Sequence, residues 1–468
     1  MNLIYQVKDK PKFGANLIFA LQQLLAILAA TIAVPSIIGN GMSQSAALFG
    51  AGVGTIVYLL FTKFRSPVFL GSSFAFLGSM SAAFAGAATA EAGFAGIIIG
   101  AAFAGLVYVL IAIIVKFAGV RWINKLMPAV IIGPTVAIIG LSLAGNAVSD
   151  AISIAKTDGG VFQMNLHGWL CLICALVTLA VVTVCSVYGK KMAKLIPFVI
   201  GIIAGYLVAT VFTVIGNATG NEAMVIIDFS RFANMQWYPD FTFIKAAKGL
   251  SEINGQYIAT IAVAYVPVAF VVFAEHIADH KNLSSIIGHE LLEEPGLHRT
   301  LLGDGLATMV AGMFGGPANT TYGENTGVLA LTKIYDPLVI RIAAVFALIL
   351  SFCPKFEAVI NTIPSGIVGG ISFVLYGMIS AIGVRNVVEN KVDFTNSRNL
   401  IIAAVILVCA LGFNSVGGIT FAIAGVNINL SGLAIAAIAG ILLNAILPGN
   451  DYEFDEGSNE PESASLRV

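Results

Sequence analysis

The chain has 468 residues, of which 58% are hydrophobic and 10% are charged, with a formal net charge of −1. Its mean hydropathy of +0.93 lies well above that of soluble domains. This composition excludes a soluble globular protein and indicates a polytopic helical protein in the lipid bilayer. No nucleic-acid partner is expected.

The first thirteen residues are polar and basic, and the first long apolar run starts near Asn16. No cleavable signal peptide is visible, so this run is predicted to be an ordinary first span. Further apolar runs are read as helical spans, because about 20 apolar residues cross a bilayer core as a helix. The fourteen predicted spans are 17–38, 46–62, 68–84, 94–117, 126–146, 169–188, 195–216, 258–280, 301–316, 320–334, 338–353, 360–382, 399–413 and 429–447.

The basic residues indicate how these spans are oriented. With the N-terminus in the cytosol, most of the 24 Lys and Arg residues fall on the cytosolic side, as the positive-inside rule expects. We therefore expect a multi-pass protein of the cell membrane with both termini in the cytosol. Residues 1–13 are the predicted cytosolic N-terminus, and residues 448–468 are an acidic tail predicted to be disordered and cytosolic.

Two halves of seven spans are predicted on either side of a long polar connection at residues 217–253. Because seven is an odd number, the halves, about residues 14–217 and 254–447, must have opposite orientations in the membrane. Transporters built from such inverted repeats carry interrupted helices at matching positions, with the substrate near the midplane. The predicted fold is thus all-α, with two inverted seven-segment repeats in which segments 3 and 10 are short and interrupted.

The tenth segment is the part of the chain least compatible with lipid. Residues 315–327 read Gly-Gly-Pro-Ala-Asn-Thr-Thr-Tyr-Gly-Glu-Asn-Thr-Gly, between apolar runs that are each too short to cross the bilayer. Irregular backbone at membrane depth is tolerated only where protein or a water-filled cavity surrounds it. A charged Glu324 in lipid would cost about 3 kcal/mol or more. Residues 66–79 form the matching segment 3, and we interpret the two segments as halves of one binding site.

The eighth span ends in a polar sequence that offers further site residues. Glu275 and Asp279 are four residues apart and share one helix face, directly after an apolar run. An intramembrane carboxylate is a functional candidate by default, so Glu275 is interpreted as a site residue. Asp279 fits a site or a wet interfacial position about equally well. His280, beside Lys281, is interpreted as interfacial.

His276 and His280 have the i, i+4 spacing by which a helix presents two imidazoles to zinc. A third ligand is not apparent, because His289 and Glu290 do not stand in the HExxH order. We expect no metal site and no cofactor, with a proton as the coupling ion.

Two half-helix N-termini at the midplane would present backbone N–H donors and the positive ends of two helix dipoles. Glu275 and Glu324 would add acceptors. A ligand that matches this set is small, flat and neutral or weakly acidic, with ring N–H donors beside carbonyl acceptors. A nucleobase such as uracil fits, whereas a sugar would require more Asn, Gln and Trp, and an inorganic anion would require Lys or Arg.

Residues 324–333 resemble the signature of the nucleobase-ascorbate transporters: Glu or Gln, Asn, any residue, Gly, four residues of any kind, Thr, then Lys, Arg or Gly. Other stretches resemble the bacterial uracil permease branch of this family. They are Gly71-Ser-Ser-Phe-Ala-Phe76, Ala274-Glu-His276, Pro295-Gly-Leu-His-Arg299 and Asn319-Thr-Thr-Tyr-Gly-Glu-Asn325. The resemblance covers nearly the whole membrane region.

The resemblance implies that spans 1–4 and 8–11 form a core domain and that spans 5–7 and 12–14 form a gate domain. It also implies a homodimer. For the substrate it implies contacts from the side chains of Glu275 and Glu324, from the backbone amides of Phe74 and Gly323, and from Tyr322 as a wall.

The resemblance further implies secondary active transport by symport with protons. The proton-coupling candidates are Glu275, Asp279 and Glu324. Desolvation in a closed site favours protonation of either glutamate, whereas the half-helix N-terminus before Glu324 opposes it there, so the sequence leaves the sign for Glu324 open. Glu275 stands on an unbroken helix, where only desolvation acts, and we favour it as the carrier.

Two positions depart from the uracil permease pattern. Asp279 stands where compared uracil permeases have His, and Gln22-Gln23 stands where they have Gln-His. Asp279 and Asp304 instead resemble the xanthine and urate branch, which usually has Gln at the position of Glu324. Uracil is therefore the first predicted substrate, and xanthine or uric acid is the alternative. The accessory candidates are Asn325, Asp304 and Gln23.

Channels and membrane enzymes are the remote alternatives. A membrane enzyme usually shows a convergent His and Asp metal cluster or a phosphate-binding loop, and a channel repeats its filter motifs around an axis. The paired interrupted segments argue against both classes.

Overall fold

The structure is a computed structural model, and it describes residues 13–154, 161–190, 192–234, 238–323, 325, 329, 335–423 and 426–449. The predictions for residues 1–12 and for the acidic tail from Asn450 onward lie outside the described residues. So does most of the tenth predicted span, including Glu324.

The described chain is mostly helical. Its helices are α1 (Phe13–Ile38), α2 (Gln44–Phe61), α3 (Leu77–Ala85), α4 (Ala90–Ala118), α5 (Arg121–Leu126), α6 (Ala129–Ser142), α7 (Ala144–Ile152), α8 (Leu166–Tyr188), α9 (Met192–Leu195), α10 (Pro197–Thr219), α11 (Thr242–Gly249), α12 (Gly255–Ile287), α13 (Leu297–Gly315), α14 (Pro337–Ser351), α15 (Pro354–Asn361), α16 (Ser365–Glu389), α17 (Ser397–Ser415) and α18 (Gly432–Ile446).

Among the described residues, nine helices are long and apolar enough to cross a membrane, or ten if a pair of helices bent by 84° counts as one span. Each predicted span outside the tenth overlaps one of the helices above. The protein is thus a multi-pass helical membrane protein. Its division into two inverted repeats of seven segments stays a prediction.

Local sequence sets where several helices begin and end. The side chains of Ser43, Asn165 and Asn254 precede α2, α8 and α12, and each accepts a hydrogen bond from a first-turn backbone N–H. Helix α12 ends at Gly288, which adopts the left-handed conformation that glycine tolerates. This helix is longer than the predicted span 258–280, so the polar residues at its predicted end lie inside it.

The helices pack in two groups. In the first group, α13 lies against α2 and α4, α14 lies against α1 and α2, and α12 lies against α3 and α4. In the second group, α16 lies against α6, α7 and α8, while α17 lies against α6 and α18. Helix α12 also contacts α6 and α18, and it therefore joins the two groups.

Small residues allow the closest helix crossings. A Cβ added to Gly305 of α13 would lie 2.7 Å from the carbonyl oxygen of Gly105 on α4. This crossing therefore requires glycine, as is common where membrane helices approach backbone to backbone.

Two antiparallel sheets correct the all-α prediction. β1 (Leu70–Ser72) pairs with β2 (Asn319–Thr321), and β3 (Ile419–Ile423) pairs with β4 (Val426–Leu430). The second sheet precedes α18, which begins at Gly432 and not at residue 429 as predicted. Polar and apolar residues alternate in Val426-Asn-Ile-Asn-Leu430, and this alternation is typical of a strand.

Candidate functional site

The two interrupted segments cross each other as the sheet β1–β2. Leu70 lies opposite Thr321, and Ser72 lies opposite Asn319. Thr55 of α2 supports the first strand, because its Oγ1 accepts from Leu70 N at 3.0 Å and lies 3.2 Å from Leu70 O. Backbone groups that a helix would pair internally are thus paired between the segments, which makes irregular backbone tolerable at this depth.

A helical turn follows each strand. After β1, a one-turn 3-10 helix (Phe74–Phe76) leads into α3. The Ser73 side chain does not cap this turn, and among the described residues its buried Oγ has no hydrogen-bond partner. After β2, the helical conformation resumes at Gly323. The two segments therefore start helical turns at opposite ends of the small sheet. The first N–H groups of a helical turn have no partner within the helix and can donate to a ligand.

Tyr322 and Asn325 fasten the two segments together. Tyr322 donates its hydroxyl to Ser72 O at 2.9 Å, and Asn325 donates from Nδ2 to Pro67 O at 3.2 Å. The Tyr322 ring packs onto Gly71, where an added Cβ would lie 2.4 Å from the ring carbon Cζ. Gly71 is therefore required for this close approach, and the predicted wall residue Tyr322 is also a brace of the crossing.

The two carboxylates of α12 lie at this crossing. Thr320 Oγ1 donates to Glu275 Oε2 at 3.3 Å, and Thr321 Oγ1 donates to Asp279 Oδ2 at 2.6 Å. The other oxygen, Asp279 Oδ1, lies against Gly323, since an added Cβ there would be 3.3 Å away. Asp279 is only 5% exposed, so the wet interfacial alternative for this residue is wrong.

The interfacial interpretation of His280 is also wrong. His280 is fully buried, stacks on His276 with ring centroids 4.1 Å apart, and lies 2.7 Å from Tyr58 OH. His276 contacts Asp304 at 2.7 Å and Thr300 at 3.0 Å. The two imidazoles are buried because α2 and α13 supply polar partners, and neighbouring residues in the chain give no sign of these partners.

The second helix group reaches the crossing through α16. The Tyr376 ring contacts the buried Phe74 ring edge to face, with centroids 5.5 Å apart. Ile382, one and a half turns further along α16, lies against Gly323. Residues of both helix groups therefore line the crossing.

The structure thus brings together Phe74, Tyr322, Gly323, Glu275 and Asp279 from the sequence prediction. Among the accessory candidates, Asn325 ties the segments together, and Asp304 lies next to the site through His276. Gln23 is buried on α1, where its Oε1 has no partner among the described residues, and it is not part of the hydrogen bonds given above.

Sequence reasoning missed the hydroxyls of Thr55, Thr320 and Thr321 and the ring of Tyr376. Thr320 and Thr321 of β2 belong to residues 315–327, which the sequence predicts to be part of the binding site. Which carboxylates they contact depends on pairing between distant parts of the chain, which one sequence does not reveal.

Two cavities lie at opposite ends of α16. The first, of about 230 Å³, is lined by α1, α7, α15 and the first turns of α16, including Asp150 and Ile371. The second, of about 430 Å³, is lined by the end of α12 and the last turns of α16, including Asn282 and Ile382. Tyr376 lies on α16 between the two cavities, next to the crossing.

Interrupted segments that pair inside a membrane bundle are characteristic of secondary transporters, which hold their substrate near the midplane at such a crossing. Fold and site together therefore define the class of membrane transport proteins.

Comparison with known proteins identifies the family. The profile described as the permease family matches residues 14–419. The uracil permease of Bacillus caldolyticus is 40% identical over 462 residues, which cover 98% of each chain. That of Bacillus subtilis is 40% identical over 442 residues, which cover 94% of each chain. The solved transmembrane domain of a cyanobacterium bicarbonate transporter, BicA, has the same fold, with a TM-score of 0.59 at 15% identity over 94% of this chain and 100% of that chain.

The chain belongs to the permease family of nucleobase-ascorbate transporters, as its motifs indicate, and it is similar over nearly its whole length to bacterial uracil permeases.

Proposed function

We propose that the protein imports uracil across the cell membrane by symport with protons. Relatives that are named uracil permeases, at 40% identity over nearly the full chain, support the substrate. The observation that carries the proposal is the position of Glu275 and Asp279 beside the β1–β2 crossing. Two carboxylates beside two helical turns match a flat ring that carries both N–H donors and carbonyl acceptors.

In the proposed binding mode, Glu275 and Glu324 accept hydrogen bonds from the ring N–H groups, and the backbone N–H groups of Phe74 and Gly323 donate to the ring carbonyls. Tyr322 forms a wall. Asp279 holds Thr321 and so fixes the approach to Gly323, while Asn325 holds the tenth segment against the third.

Transport is proposed to proceed by alternating access. The first helix group would be the core domain that carries the substrate site, and the second would be the gate domain. Two cavities at opposite ends of α16 support this division, because each is lined by both groups: the first by α1 and α16, and the second by α12 and α16. Movement of one group against the other would open one cavity to the site and close the other.

The coupling proton is assigned to Glu275, which lies on the continuous helix α12, is half-buried and contacts Thr320. A proton on this carboxyl would remove its charge before the site closes. We further propose fourteen segments in two inverted repeats, cytosolic termini and a homodimer.

The test is competition for uptake of radiolabelled uracil by cells that express the chain, at acidic and at alkaline external pH. Unlabelled uracil, xanthine and uric acid serve as competitors, and cells with an empty vector serve as the control. Saturable uptake that is stronger in acid and blocked only by uracil is expected.

A purine substrate is the second candidate. It is favoured by Asp279, which contacts the crossing at the position where the compared uracil permeases have His. Inhibition by xanthine without inhibition by uracil would assign the protein to that substrate, and the fold would be unchanged.

A further inference from the structure

His276 and Asp304 form a buried pair next to the proposed substrate site. His276 Nδ1 lies 2.7 Å from Asp304 Oδ2, and His276 Nε2 lies 3.0 Å from Thr300 Oγ1. The His276 and Asp304 side chains are 0% and 1% exposed. A carboxyl and an imidazole in contact away from water titrate as one unit, because each proton is shared by both groups.

The Thr300 hydroxyl allows this pair to hold one proton or two. Thr300 Oγ1 can donate to Leu297 O, 3.1 Å away. In that orientation the hydroxyl accepts a hydrogen bond from His276 Nε2–H. A second proton must then lie between His276 Nδ1 and the Asp304 carboxyl, because without it both atoms would be acceptors. If the hydroxyl instead donates to Nε2, one proton on Nδ1 satisfies the carboxylate. Rotation of one hydroxyl therefore accommodates both states without moving other atoms.

The neighbouring imidazole cannot take this role. His280 Nδ1 donates to the carbonyl oxygen of His276 at 2.8 Å, and Nε2 accepts from Tyr58 OH at 2.7 Å. Neutral His280 is thus fully hydrogen-bonded. Because the two rings stack 4.1 Å apart, a charge on both would be strongly repulsive. Only His276, which has a carboxyl partner, is placed to carry an added proton.

Four further titratable side chains surround the pair. Tyr108 of α4 approaches the His276 ring edge to face at 6.0 Å, and Tyr58 of α2 approaches through His280. On α12, Glu275 and Asp279 flank His276 in sequence. These four side chains are neutral or acidic, so none of them opposes a positive charge on the imidazole.

The pair also connects the two helices that hold β2. Helix α12 binds the strand through Glu275 and Asp279, whereas α13 binds it through Thr308, whose Oγ1 donates to Asn319 O at 3.1 Å. His276 on α12 and Asp304 on α13 join these helices directly. A change in the number of protons on the pair therefore acts on the two helices that hold β2, the strand beside the proposed substrate site.

We propose that His276 and Asp304 form a second proton-binding site, inside the core helices, whose occupancy sets the affinity of the substrate site. Glu275 carries the transported proton, and the buried pair gives the substrate affinity its dependence on pH. The proposal rests on the proposed function for the choice of uracil as the probe, for the substrate site at the β1–β2 crossing and for Glu275 as the carrier of the transported proton.

The experiment measures the KM for uracil uptake between about pH 5 and pH 9 in the wild-type chain and in Thr300→Val, a nearly isosteric change. The valine removes the hydroxyl that accepts a hydrogen bond from the protonated imidazole. Because that bond is charge-assisted, its removal destabilises the protonated state of the pair more than the deprotonated state. We expect the pH at which KM changes to move about one unit toward acid, which is a tenfold loss of proton affinity. Thr300→Ser, which keeps the hydroxyl, should restore the wild-type profile.

Thr178→Val is the matched control, because Thr178 is a fully buried threonine on α8, in the other helix group. Within the described part of the chain, its hydroxyl bonds to Cys174 O of its own helix. Asp304→Asn is the second test: the KM that remains measurable in this variant should lose most of its dependence on pH. A Thr300→Val profile that overlays the wild type, an equal shift in Thr178→Val, or an Asp304→Asn chain that keeps the wild-type profile would overturn the proposal. Absence of uracil uptake by the wild-type chain at every pH would instead refute the proposed substrate.

Discussion

Thr321 donates a hydrogen bond from Oγ1 to Asp279 Oδ2, with 2.6 Å between the two oxygens. The bond joins the strand of the tenth segment to the long helix α12, one residue before Tyr322 and two before Gly323. It therefore fixes the turn whose backbone N–H is proposed to contact the substrate. The proposed role of Asp279 is therefore to position that turn.

Replacement of Thr321 by valine should weaken substrate binding. The change removes a hydrogen bond to a buried carboxylate, and such bonds contribute about 1.5–3 kcal/mol. We expect the KM for uracil to rise at least tenfold while the chain still reaches the membrane. Thr321→Ser retains the hydroxyl and should stay within a few-fold of the wild type. An unchanged KM in Thr321→Val would show that this bond does not position the site.

Replacement of Asp279 by histidine tests which branch of the family the site follows. Histidine is the residue that the sequence resemblance places here in uracil permeases, and its imidazole can still accept from Thr321. Uracil uptake should persist, and any inhibition by xanthine should fall relative to the wild type. The measurement is the ratio of the two inhibition constants in one uptake assay. Complete loss of uracil uptake with xanthine binding retained would assign Asp279 to a purine site.

Glu275→Gln should separate exchange from accumulation. Glutamine keeps an acceptor for Thr320 but cannot carry the proton, so uptake driven by a pH gradient should be abolished while exchange is retained. Glu357→Gln is the matched control, because that carboxylate accepts from the hydroxyls of Ser43 and Ser45 at 2.6 and 2.7 Å, away from the crossing. Gradient-driven uptake at the wild-type rate in Glu275→Gln would refute the assignment of the proton.

Gly71→Ala should damage the crossing. Its Cβ would lie 2.4 Å from the Tyr322 ring, which is itself held by the bond to Ser72 O, so the strands must separate. Overpacking of this kind costs about 1–3 kcal/mol, and we expect a lower melting temperature of the purified protein and reduced uptake. In the matched control Gly78→Ala, the new Cβ would meet its nearest neighbour, Ser431, at an ordinary 3.8 Å. Equal behaviour of the two variants would contradict the account of the crossing.

The helical part of the fold could be predicted from the sequence because each apolar run has to satisfy its backbone internally in lipid. The two interrupted segments were visible for the same reason, since Gly, Pro and polar residues at membrane depth require protein partners. The pairing register, with Leu70 opposite Thr321, could not be predicted, because it depends on how two distant parts of the chain meet.

The burial of the polar residues after Glu275 also depends on contacts with distant parts of the chain. His280 looked interfacial beside Lys281, yet it is buried because Tyr58, 222 residues away in the chain, contacts its ring. The sequence fits two positions for Asp279 equally well, and its burial follows from the contact with Thr321. Burial of a polar side chain is decided by its partners, and these partners come from other helices.

The most direct test of the central claim is uracil accumulation by the purified chain in liposomes with an imposed pH gradient, acidic outside, and no other energy source. We predict labelled uracil to rise above its external concentration and to fall back when a protonophore dissipates the gradient. Liposomes without protein and liposomes with Glu275→Gln are the controls. Uracil that only equilibrates across the membrane, with or without the gradient, would contradict proton symport.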